Sequence, residues 1–178
     1  MIPAIFLDRD GVINIDTGYV STSERFQFNK DIFSVLSLLQ KTFKLFIITN
    51  QSGIGRQYFS EINFLTLTKW MLSIFACHNI TIEKVYYCPH TPEDNCLCRK
   101  PLHGLITQAH EEHRIDLKNS WLIGDKESDI SCALNAAIPN SILISKKPHT
   151  LTKTPPNFIQ VPQVADIPST IKKTIYGQ

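Results

Sequence analysis

The segment Asp8-Arg9-Asp10-Gly11 sets two carboxylates two positions apart, directly after the apolar run Ala4-Ile5-Phe6-Leu7. Two acids in such a place can divide labour. One can attack phosphorus as a nucleophile while the other gives and takes protons. Their joint negative charge also calls for a divalent cation. Taken alone, the same residues are equally a surface turn with solvated acids, so the rest of the chain must decide.

Three more clusters carry polar chemistry. Thr49-Asn50-Gln51-Ser52-Gly53 offers a hydroxyl and the backbone N–H groups of a glycine-containing turn, which suit phosphate oxygens. By itself it is an ordinary Asn/Gly loop. Arg99-Lys100-Pro101 supplies cations, and a proline at the first position of a helix would put Lys100 at that helix's positive end. By itself such a basic pair is more usually solvated surface. Gly124-Asp125-Lys126 is followed by Asp129 one helical turn on. Asp129 is either a third carboxylate of an oxygen cage for Mg²⁺ or an acid at a helix N-terminus.

Cys88-Pro89-His90 and Cys96-Leu97-Cys98 place three thiols and an imidazole in one short stretch. Three Cys and one His make a closed tetrahedral Zn²⁺ set. With no ligand position open, such an ion would be structural, tying loop 88–98 and holding Arg99 and Lys100 beside the acids. The alternative is a group of fortuitous free thiols. A redox pair fits less well, because Cys-x-Cys lacks the Cys-x-x-Cys spacing. Cys77 and Cys132 fall in helical patterns and read as small core residues.

These clusters need elements to hold them. Strand-like runs recur at Ala4 to Leu7, Leu45 to Thr49, Val85 to Tyr87, Trp121 to Gly124 and Ser141 to Ile144. Helical spacing lies between them: Ile32 to Leu39, a long helix capped by Ser60, one opening at Pro101, and Ser128 to Ala137. The alternation predicts a parallel sheet with right-handed crossovers, and ligands of such sheets bind at the strands' carboxyl ends. All four clusters follow a predicted strand. The segment from Val12 to Asn29 is too long for a simple connection, and Gly18-Tyr19-Val20 with Phe26-Gln27-Phe28 predict a small hairpin flap. Residues 146–163, rich in proline, read as an extended strap before a short helix at Ile167 to Ile175.

The chain has 178 residues, the length of one domain spanning 1–178, and its 43% hydrophobic and 19% charged residues with a net charge of +2 are the profile of a soluble globular protein. The near-neutral charge and the lack of basic-aromatic interleaving argue against a nucleic-acid partner. No run is long enough for a membrane span. The odd number of cysteines, five, and an N-terminal apolar stretch that stops at Asp8 point to a reducing cytoplasm rather than to export. A monomer is expected.

The four strand-end clusters, in this order, resemble the motifs of the haloacid dehalogenase-like superfamily. That resemblance implies a Rossmann-like three-layer α/β/α fold, and with only a small flap and the cysteine loop over the site no separate cap domain is expected. It implies Asp8 as the nucleophile that forms an aspartyl-phosphate and Asp10 as general acid, then base. Thr49, Asn50 and Lys100 would hold phosphate. Asp8, Asp125 and the backbone carbonyl of Asp10 would bind Mg²⁺. The cysteine loop and the run that follows it resemble two branches, heptose 1,7-bisphosphate phosphatases and histidinol-phosphate phosphatases. Phe6 to Gly11, Gly18 to Val20, Ile48 to Arg56 and Val85 to His90 look closer to the heptose branch. This implies hydrolysis of the C7 phosphate of a heptose bisphosphate, with Asp16, Thr17, Gly18, Tyr19, Gln51, Ser52, Arg99 and Lys126 as substrate contacts. There are two departures. The gap between His90 and Cys96 is short, as in the histidinol-phosphate branch, and Gln57 stands where a glycine often follows the arginine.

Overall fold

The computed structural model describes residues 1–177. Six parallel strands form one sheet: β1 (Ala4–Leu7), β2 (Lys44–Asn50), β3 (Lys84–Cys88), β4 (Trp121–Gly124), β5 (Asn140–Ile144) and β6 (Asn157–Val161), in the order β3-β2-β1-β4-β5-β6. The strand order reverses between β1 and β4. Sheets of this order bind ligands at that crevice.

Alternation along each strand divides the core in two. Ile5, Leu7, Leu45, Ile47, Trp121 and Ile123 face one layer, made by α1 (Ile32–Leu39), α3 (Glu61–Cys77) and α6 (Ile167–Tyr176). Phe6, Phe46, Ile48 and Leu122 face the other, made by α4 (Gly104–His113) and α5 (Glu127–Asn135). Phe6 stacks on Phe46 across neighbouring strands, ring centroids 5.7 Å apart. Strands apolar on both faces are what a sheet covered on both sides requires. The β1 run therefore sits in the middle of the core, and Asp8 is the first residue to leave it.

Local signals set the element ends. Ser60 caps α3: its Oγ accepts from the Asn63 N–H at 3.1 Å, and Asn63 Oδ1 accepts from the Ser60 N–H at 3.0 Å. A one-turn helix, α2 (Ser52–Gly55), follows β2. No described helix is long and apolar enough to cross a membrane.

Four expectations need correction. The strap contains a sixth strand, Asn157–Val161, paired in parallel with β5. Its outward residues are only half-buried, so no strong apolar run marks it. The flap is not a hairpin of residues 18–20 against 26–28. The pairing lies at its base, where Ile15 N–H donates to Gln27 O and Asn29 N–H to Ile13 O, and a 3-10 turn at Ser23–Arg25 fills its middle. Pro101 does not open a helix: α4 starts at Gly104. Lys100 therefore lies outside any helix N-terminus, and its charge acts through direct ion pairs instead.

Gln57 lies between α2 and α3 with φ +60°, the left-handed conformation that favours glycine. Gln57→Gly should relieve that strain and outweigh the added freedom of the unfolded chain, raising stability by about 0.5–1 kcal/mol. Urea unfolding with an unchanged m-value would register it. A loss of stability would mean that the Gln57 side chain makes contacts that offset the strain.

Candidate active site

A cleft of about 290 Å³ opens at the carboxyl ends of β1, β2 and β4. Asp8, Asp10, Asp16, Gly18, Tyr19, Thr49, Asn50, Gln51, Ser52, Arg99, Lys100 and Lys126 line it, together with Gly53 and Ser128. Thr17, expected among the substrate contacts, does not line it. Asp125 lies behind the lining, against Gly11: a Cβ on Gly11 would fall 2.1 Å from Asp125 Oδ2, and the backbone there has φ +91°. Glycine in the Asp8–Gly11 motif is thus required twice, by conformation and by space.

Asp8, Asp125 and Asp129 bring one carboxylate oxygen each within 4.8 Å of one another. Lys100 holds this acid cluster together. Its Nζ lies 3.0 Å from Asp8 Oδ1 and 2.6 Å from Asp129 Oδ1, and donates to Ile48 O at 2.9 Å. Burial works against the Lys100 charge, but Asp129 and Asp8 outweigh it and keep the ammonium protonated above its ordinary range. Lys100 thus brings to the cleft a charge already paired with Asp8 and Asp129. Its backbone is fixed by Asn50, whose Nδ2 donates to Lys100 O and whose Oδ1 accepts from Lys100 N–H, both at 3.0 Å. Sequence reasoning gave Asn50 to phosphate. Its amide is occupied in docking the lysine.

Burial pushes the Asp8 carboxyl up to about 7; Lys100 opposes this, while Asp129, Asp10 and Asp125 add to it. Asp125 is pushed up to about 6, again by burial first, with Lys126 opposing. Asp125 Oδ1 is buried without a hydrogen-bond partner. An orphaned carboxylate oxygen beside Asp8 fits a cation, which would satisfy it and offset the crowded negative charge. Asp129 is less available, because Lys100 holds one oxygen and the Lys126 N–H donates to the other at 3.1 Å.

Asp10 has a different environment. Both its oxygens face Arg9, at 2.8 to 3.2 Å; Asn14 Nδ2 donates to Oδ1 and Gln51 Nε2 to Oδ2, each at 3.0 Å. Gln51 also donates to Thr49 Oγ1 at 2.9 Å, which links Asp10 to Thr49 across the cleft. Arg9, which in the sequence is only a part of the motif, is 1% exposed, donates to Val20 O of the flap at 2.9 Å and lies over the Phe64 ring. A basic residue between two acids at the end of a buried strand was the available signal: buried charges must be paired.

The flap is tied on the other side too. Asp16 Oδ1 accepts from the Gly18 N–H, and Asp16 Oδ2 lies 2.9 Å from Lys126 Nζ. Burial alone would raise the Asp16 carboxyl, but bonds from Lys126 and Gly18 bring it below the usual range.

Loop 88–98 starts where β3 ends, beside Thr49 to Gln51; Gln51 N–H donates to Cys88 O at 2.7 Å. Its four candidate ligands do converge. Cys88 and Cys96 Sγ are 3.5 Å apart, Cys96 and Cys98 3.4 Å, and His90 Nδ1 is 3.2 Å from Cys98 and 3.7 Å from Cys88. Ligands at the ~2.3 Å Zn–S distance of a tetrahedral site stand roughly 3.7 Å apart, so the set fits zinc. No disulfide competes, since all three thiols are free. Arg99 follows directly, with Nη1 on His90 O at 3.4 Å.

The open parallel sheet of this order, with acids after β1 and β4 and a buried lysine between them, fits the haloacid dehalogenase-like hydrolases that the motifs resemble. A family model described as HAD-hydrolase-like matches residues 97–166. The crystal structure of a D,D-heptose 1,7-bisphosphate phosphatase from B. bronchiseptica, complexed with magnesium and phosphate, has the same fold, with a TM-score of 0.83 at 23% identity over 99% of this chain and 100% of that one. The D-glycero-beta-D-manno-heptose-1,7-bisphosphate 7-phosphatase of Helicobacter pylori is 46% identical over 95% of this chain and 97% of its own length. The D-glycero-alpha-D-manno-heptose-1,7-bisphosphate 7-phosphatase of Campylobacter jejuni is 47% identical over 81% and 83%. The chain belongs to this family of heptose-1,7-bisphosphate 7-phosphatases.

Proposed function

We propose that the chain removes the C7 phosphate from a D-glycero-D-manno-heptose 1,7-bisphosphate. The observation that carries this is a buried Asp8 facing the cleft, with Lys100 at 3.0 Å and a separately held Asp10 beside it. Asp8 attacks phosphorus and forms an acyl phosphate, while Asp10 protonates the departing C7 alkoxide. Water then attacks the same phosphorus, giving its proton to Asp10 and releasing phosphate and free Asp8. Thr49 and the Lys100 charge hold the reacting phosphoryl group; Arg99 and Lys126, with Asp16, Gly18, Tyr19, Gln51 and Ser52, contact the rest of the substrate. Asp8, Asp125 and the backbone carbonyl of Asp10 would hold Mg²⁺, which when bound supplies positive charge against the phosphate oxygens.

The histidinol-phosphate reading loses ground, because full-length relatives carry heptose names. The test is phosphate release from both anomers of the heptose bisphosphate, histidinol phosphate and simple sugar monophosphates, with the residual phosphate located by ³¹P NMR. The expected product keeps the C1 phosphate. Preference for histidinol phosphate, or loss of the C1 phosphate, would overturn the assignment. Both anomers belong in the panel, since the two relatives differ in that word of their names.

For loop 88–98 we propose one structural Zn²⁺ on Cys88, His90, Cys96 and Cys98. Metal analysis of protein purified without chelator should find one zinc per chain. Cys96→Ser should lower that content and cost about 2 kcal/mol, roughly 4–8 °C in Tm. Freely titratable thiols and no bound metal in the native protein would remove the site.

A further inference from the structure

Tyr19 and Tyr58 meet edge to face at the mouth of the cleft, ring centroids 4.7 Å apart and planes at 90°. Tyr19 lines the cleft; Tyr58 does not, and reaches Tyr19 from outside. Burial does not explain the meeting, for the two residues remain 47% and 62% exposed. The backbone brings them together at a cost. Gly18 and Tyr19 turn the flap tip with φ +76° and +48°, and Tyr58 follows Gln57 at +60°. Tyr58 also stands on firm footing: its N–H donates to Gly53 O at 2.9 Å, and the neighbouring Phe59 ring fills the space beside Gly53. The flap tip is thus held between the Asp16–Lys126 pair on one side and the Tyr58 ring on the other.

We propose that Tyr58 is a positioning residue for substrate specificity: it holds the Tyr19 ring as a fixed wall against the sugar part of the phosphorylated substrate. The inference rests on the sugar-bisphosphate reading and deepens it. A sugar presents C–H faces that pack on an aromatic ring whose polar tip remains wet. A minimal phosphate ester needs only the acids, Thr49 and the Lys100 charge, and does not use that wall.

The two substrate types separate this role from a merely structural one. Tyr58→Ala should raise KM for the heptose bisphosphate about 3- to 10-fold, the range an exposed aromatic pair supports, with kcat within about twofold. Its kcat/KM for methyl phosphate, which carries neither a sugar nor a ring, should stay at the wild-type value. Tyr58→Phe retains the ring and should restore KM. Equal losses on both substrates, no change on either, or failure of Tyr58→Phe to rescue would overturn the proposal. If wild type cleaves no heptose bisphosphate, the proposed function falls, and the same comparison with the sugar phosphate it cleaves best decides on Tyr58. If it cleaves no sugar phosphate at all, both fall.

Discussion

Asp8→Asn is expected to lower turnover by at least ~10³-fold while leaving the chain folded. Asparagine keeps the shape of the side chain but removes the charge proposed to attack phosphorus and one proposed metal ligand. Lys100 keeps Asp129 and Ile48 O as partners, so the substitution strands no buried cation. Stability should move the other way. Burial raises the Asp8 carboxyl to about 7, so its ionised form is disfavoured in the folded state. The sign follows from linkage. Wild type without added magnesium loses stability as pH rises from the ordinary carboxylate range through about 7, and Asp8→Asn lacks that component of the loss. Above pH 7 the variant should therefore be at least as stable as wild type. Activity near the wild-type level in a homogeneous preparation would end the nucleophile assignment. A variant markedly less stable at pH 8 would contradict the electrostatic account of the site.

Lys100→Met should be the more damaging change to the fold. The lysine is 3% exposed and stands between two carboxylates, both of which lose their only buried cation on substitution. Removing one partner of such a set costs about 3–5 kcal/mol. Activity should fall as well, because the buried charge proposed to hold the reacting phosphoryl group is gone. The stability loss should shrink as pH is lowered and the stranded carboxylates take up protons. Lys100→Arg should not rescue, since the fork of the guanidinium does not fit a compact cavity with three fixed acceptors. Denaturant unfolding across pH 5–8 measures all of this. A loss below about 1 kcal/mol at pH 8 would mean that Asp8 and Asp129 find other compensation.

Much of this was legible in the sequence, for identifiable reasons. Strands β1, β2 and β4 are short runs apolar on both faces, and Ser60 and Asn63 spell out a cap. The acids and Thr49 were legible because each follows such a strand, Lys100 because a basic pair follows the cysteine loop after β3, and the candidate zinc ligands because thiols and an imidazole seldom crowd together without cause. What escaped notice depended on partners distant in sequence. Asn50 clasps Lys100 across fifty residues, Arg9 gains its role only when the flap's Val20 carbonyl and the Asp10 carboxylate enclose it, and Asp129 is committed to lysine rather than to metal alone. Strand β6 was missed because an edge strand with half-buried residues lacks the apolar run that marks the central ones.

The flap over the cleft is a short stretch of chain tied by a few side-chain contacts, and that has a kinetic consequence. Loops of this size rearrange in nanoseconds to microseconds, whereas hinged domains take microseconds to milliseconds. Entry of substrate and departure of product need no slow hinge, so solvent viscosity should leave kcat unaffected.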